Sequence, residues 1–85
     1  EDDTIVLSLS GGVERSVRAL REVPQVREVS AEGSEVRLLV RDARSVVAQV
    51  LEVIAANEAV LRSVEVQEPD LEAVFLHLTG KALRE

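Results

Sequence analysis

Cysteine, methionine, tryptophan and tyrosine are all absent from this 85-residue chain, and its one aromatic residue is Phe75. Without cysteine there is no disulfide, no thiolate metal site and no cysteine nucleophile, and compartment cannot be read from redox chemistry. With no aromatic on any expected strand, the chain lacks the base-stacking platform of RNA-recognition sheets. Long apolar runs are missing too: none approaches the about 18–20 residues of a membrane span, and no basic-then-apolar leader opens the chain. Positive charge is in short supply, with ten basic residues against sixteen acidic ones and a net charge of −6. That balance repels phosphate backbones and anionic lipid, so nucleic acid and direct membrane insertion are disfavoured. The absence of an initiating methionine before Glu1 leads to the expectation of a piece of a longer protein.

What is present is aliphatic. Val, Leu, Ile and Ala carry most of a 46% apolar share, enough for a globular domain with one core. A fold of this size buries only roughly 60–65% of its unfolded surface, so a deep enclosed active site is not expected.

After an acidic lead-in at residues 1–3, Ile5, Leu7 and Leu9 alternate with Val6, Ser8 and Ser10, the period of a half-buried strand. Gly11 and Gly12 end it. From Val13 to Val23 the period becomes helical, with Val13, Val17 and Leu20 on one face, and Pro24 stops the helix. Two strands follow between Val26 and Val40, joined by Ala31-Glu32-Gly33-Ser34. Val26 and Val29 are out of phase by one residue, which predicts a bulge or a late strand start. Asp42 is placed to cap a second helix, in which Ala43, Val46, Val47, Val50, Leu51, Ile54 and Ala55 recur at three and four residues. Asn57 and Glu58 break that pattern, and Leu61–Gln67 alternates again with Val64 and Val66 inward.

Strand, helix, strand, strand, helix, strand with right-handed crossovers predicts an α+β, ferredoxin-like βαββαβ domain over residues 4–67: one antiparallel sheet with two helices on one face. Residues 68–85 are expected to add a short C-terminal helix and tail. Pro69 takes the first helical position, Asp70 and Glu72 lie near the positive end, and Leu71, Val74, Phe75 and Leu78 follow helical spacing. Gly80 closes the helix. Leu76 falls off that stripe, so both faces of the segment are expected to meet protein.

The stretch Glu68-Pro-Asp-Leu-Glu-Ala-Val-Phe-Leu-His-Leu-Thr-Gly80 resembles the C-terminal signature of ATP-binding subunits in the daunorubicin-type drug-export family of ABC transporters. Ten positions match: Glu68, Pro69, Leu71, Glu72, Val74, Phe75, Leu76, Leu78, Thr79 and Gly80. Ala73 stands where that family usually carries a second acid. The preceding pattern looks like the domain that follows the ATPase core in those subunits. The resemblance implies a non-catalytic interaction or regulatory domain, with ATP and Mg bound elsewhere in the parent and no cofactor in this segment. It implies as partners the ATPase core of the same chain, its homodimer mate and a membrane permease subunit. The implied location is cytoplasmic, at the inner face of the membrane through the permease. Leu71, Val74, Phe75, Leu76 and Leu78 are the expected interaction residues.

No catalytic or metal residue is expected from the pattern. Lys81, the sole lysine, follows a single glycine, so no phosphate-binding loop can be written on the chain. Gly11-Gly12 reads as a strand-to-helix turn rather than a phosphate cradle. His77 has no second ligand at metal spacing and reads as an exposed helix residue. Glu68, Asp70 and Glu72 read as acids favouring a helix dipole rather than an acid–base pair. Arg37 and Arg41, with Arg27, read as a solvated, salt-bridged sheet face rather than an anion site. The fold also serves as a small-molecule-sensing regulatory domain, the alternative function for this chain, although no residue pattern marks a pocket.

Overall fold

The computed structural model describes residues 2–69 and the backbone of 74–77. The elements run β1 (Asp3–Leu9), α1 (Val13–Leu20), β2 (Val26–Glu32), β3 (Glu35–Val40), α2 (Ala43–Ala56), β4 (Leu61–Gln67) and β5 (Val74–His77). All strand pairs are antiparallel and the spatial order is β2-β3-β1-β4-β5. Its first four members are the ferredoxin-like arrangement expected from the element order, with α1 packed on β2 and β3 and α2 on β1 and β4.

Strand alternation translates directly into burial. Ile5, Leu7 and Leu9 of β1, Val36, Leu38 and Val40 of β3 and Val64 of β4 all enter the core beneath Leu20 of α1 and Val46, Val50 and Ile54 of α2. The other face is mostly polar, with Val6 buried at its centre between Arg37 and Glu65 and Leu39, paired with Thr4, half-buried beside it. The phase shift in β2 is a bulge between Val26 and Glu28, as the misplaced valines require.

The β2–β3 connection is tighter than the four residues expected. Ala31 and Glu32 remain in β2, Glu32 pairs with Glu35, and only Gly33 and Ser34 turn the chain. Gly33 has φ 62 and Ser34 is not at positive φ, the requirement of a two-residue II′ turn. Helix α1 ends at Leu20, three residues before the expected Val23. The chain then tightens through Glu22 N–H to Ala19 O and Val23 N–H to Leu20 O, both 3.1 Å, which carries Val23 into the core before Pro24.

The two ends of α2 are closed by different chemistry. At its start Asp42 accepts from the Arg44 N–H at 3.3 Å, and Asp3 accepts from the Ala43 N–H at 2.8 Å from across the sheet. Asp3 therefore belongs to β1 and secures a helix, although it reads in sequence as part of the acidic lead-in. At the other end the Glu58 N–H bonds Ala55 O and the Ala59 N–H bonds Ile54 O, a Schellman motif with Glu58 at φ 61 where glycine is usual.

The expected C-terminal helix is corrected in part by the structure. Val74–His77 is a strand, β5, laid along β4. The rest of that helix, residues 70–73 and 78–80, lies outside the described residues. An apolar run as short as Val-Phe-Leu satisfies helix and strand periodicity alike, and the free edge of β4 offers a row of backbone groups that a neighbouring strand satisfies.

Candidate functional site

Of the five expected interaction residues, Val74, Phe75 and Leu76 occupy β5, whereas Leu71 and Leu78 lie outside the described residues. In the β4–β5 ladder Val74 pairs with Val66, Phe75 with Glu65, Leu76 with Val64 and His77 with Ser63. His77 is accordingly in a strand and not on a helix. The sheet's hydrogen-bonded edge thus passes through the segment that carries the motif.

Glu68 marks where this segment leaves the body of the fold. Its carboxylate is 3.4 Å from Arg44 Nε in the first turn of α2, and its side chain is only 16% exposed. It lies beside the same helix start that Asp3 and Asp42 cap. The acid expected to support a helix of its own therefore faces a neighbouring one. Asp70 and Glu72 lie outside the described residues.

The remaining candidates resolve into structural roles. Gly12 sits at φ 73 with a Cβ position 2.9 Å from Ala59 Cβ, so the β1–α1 turn and the α2–β4 turn meet there in close contact. Ser10 N–H to Val60 O, 2.7 Å, and Arg15 Nε to Asn57 O, 3.2 Å, tie the same two turns. A shallow open depression lies beside them, lined by Gly11, Gly12, Val13, Glu14, Arg15 and Arg18. On the sheet, Arg37 approaches Glu35 at 3.9 Å with both side chains about half exposed, and Arg27 pairs with Asp2 at 3.2 Å. Arg41 is exposed just before α2. These are solvated ion pairs rather than a gathered cationic site.

Ser16 and Asp3 are the residues that periodicity missed. Ser16 is fully buried with its hydroxyl unpartnered, on the face of α1 that carries Val13, Val17 and Leu20. Its i+3 spacing from Val13 is the signal that could have placed it inside. For Asp3 no local signal exists, because its partner is forty residues away. Among the described residues no helix is long and apolar enough to cross a membrane, and no three His, Asp or Glu side chains gather in a metal-ligand cluster.

The molecule is thus a ferredoxin-like α+β domain, and it is similar across nearly its whole length to a region of an ATP-binding protein. That relative is the linearmycin resistance ATP-binding protein LnrL of Bacillus subtilis (strain 168), 37% identical over 86 residues. The match takes in 98% of this chain but only 28% of the relative, so the chain spans little more than a quarter of that protein's length. No family model matches the chain, and no solved structure matches it significantly.

Proposed function

We propose that this chain is the non-catalytic C-terminal accessory domain of an ABC transporter ATP-binding subunit of the daunorubicin type, a drug exporter. Its task is to hold that subunit against its own ATPase core, its homodimer mate or the membrane permease. The carrying observation is the match to a resistance ATP-binding protein over 98% of this chain and 28% of the relative. It is supported by the ten-position likeness of residues 68–80 to the exporter signature. ATP and Mg belong to the parent's other region, and the parent works at the cytoplasmic face of the membrane. Leu71, Val74, Phe75, Leu76 and Leu78 form the contact strip, since an apolar strip at the margin of a small acidic domain gains most by being covered.

The test is made in the full-length subunit. Phe75→Ala should weaken dimerisation or co-purification with the permease while ATP still binds. Unaltered assembly and transport would remove the strip from the interface. The 85-residue chain alone should show no nucleotide turnover in a phosphate-release assay, and measurable turnover would end the accessory-domain reading.

A further inference from the structure

Both helices pack on the side of the sheet that carries Ile5, Leu7 and Leu9, so among the described residues no element covers the opposite side. At the centre of that open side lies Val6, with Arg37 beside it on β3 and Glu65 beside it on β4. One row away Thr4 is flanked by Leu39 and Gln67, and in the other direction Ser8 is flanked by Glu35 and Ser63. The two central charges are occupied elsewhere, and loosely. Arg37 reaches Glu35 at 3.9 Å with both side chains 52% exposed, and Glu65 accepts a hydrogen bond from Gln67 Nε2 at 3.0 Å. An exposed pair at the distance of Arg37 and Glu35 is weak, which leaves the guanidinium free to take a better-placed carboxylate.

These rows complement themselves under one two-fold operation. Turning a second copy over about an axis that runs along β1, between the two sheets, lays β3 of each copy over β4 of the other. Arg37 of each copy then faces Glu65 of the other, Val6 faces Val6, Leu39 faces Gln67 and Glu35 faces Ser63. Glu28 and Glu32 lie out on β2 and fall at opposite margins of the contact. An axis across the strands would instead stack Arg37 on Arg37 and Glu65 on Glu65, an arrangement that like-charge repulsion opposes.

We propose that this open face is a self-association surface whose occupant is a second copy of the chain, held by two Arg37–Glu65 pairs around a central Val6–Val6 contact. The proposal rests on the accessory-domain reading for its setting, since it is two parent subunits that bring two copies together, and it assigns the homodimer mate to this face. Four strands at about 4.8 Å and six residues at about 3.3 Å cover roughly 400 Å² a side, half of the about 800 Å² of a stable complex. The free chain therefore pairs weakly, and tethering in the parent supplies the effective concentration, of mM order, that completes the dimer.

Sedimentation equilibrium of the 85-residue chain up to about 2 mM tests it, with a monomer–dimer Kd below about 1 mM expected. A chain that stays monomeric at that concentration overturns the proposal and leaves the face to a different protein. Arg37→Glu and Glu65→Arg should each weaken the dimer by about tenfold or more, because each sets like charges against one another twice. Mixing the two variants, or combining both substitutions in one chain, should restore the Kd to within about threefold, because unlike charges are opposed again. Recovery in the mixture also shows that both variants fold. A dimer indifferent to the single changes, or not recovered by the mixture, uses another surface and refutes the assignment. The accessory-domain reading stands or falls separately, on nucleotide turnover by the chain and on Phe75→Ala in the full-length subunit.

Discussion

The βαββαβ body and the segment after Gln67 contain similar proportions of apolar residues, yet they are held by different means. In the body, thirteen apolar side chains share one buried cluster, and both ends of α2 have their backbone groups satisfied. Beyond Gln67 the described chain is held by one ladder and one partly exposed ion pair. Apolar content alone therefore does not say how a segment is held; in the body it is a second layer of helices across the sheet that makes the core.

The largest expected effect tests the body. Ile54 is 2% exposed between α2 and the sheet, and Ile54→Ala should cost about 2–5 kcal/mol of unfolding free energy in urea. A domain of this size has only about 4–13 kcal/mol at 0.05–0.15 kcal/mol per residue, so the variant should lose a substantial share of its stability. A loss below about 1 kcal/mol would mean that the cluster is looser than its burial implies.

Next comes the junction of the two turns. Gly12→Ala imposes a side chain at φ 73 and drives its Cβ against Ala59, so the cost should be roughly 2–4 kcal/mol. Gly11→Ala is the control: it shares the positive φ but has open space around it, and it should cost about half as much. Equal losses in the two thermal melts would show that Ala59 gives way.

A smaller change of opposite sign is expected at Ser16. Its buried hydroxyl has no partner, and alanine also has the better helix propensity, so Ser16→Ala should stabilise the chain by about 0.5–1.5 kcal/mol. Destabilisation would reveal a bond that the hydroxyl makes. The smallest effect belongs to the boundary between the two regions. Arg44→Ala should cost about 0.2–1 kcal/mol, as a partly exposed pair does, with an unchanged urea m-value. A loss near that of Ile54→Ala would place the terminal segment inside the cooperative body and erase the contrast.

Much of this architecture is legible in the order of residues. Alternation in Ile5–Leu9, Val36–Val40 and Val64–Val66 predicts the inward faces seen in the sheet. The helical recurrence from Ala43 to Ile54 predicts α2, and Asp42 its start. Even the bulge in β2 shows as a slipped phase. The expected contact strip is legible as a motif but not as a conformation. Val74–His77 joined the sheet because β4 had an open edge, a fact of topology that no local window contains.

By itself the sequence determined the positions of residues against water: which repeat every second place, which every third or fourth, and hence two helices over one sheet. Those periods are properties of the backbone geometry and need no knowledge of neighbours. The tertiary structure alone decided that Asp3 would cap α2, that Gly12 would meet Ala59, and that Val74–His77 would extend the sheet. Each of these joins groups far apart in the chain, or completes hydrogen bonding at an edge that exists only once the sheet has formed.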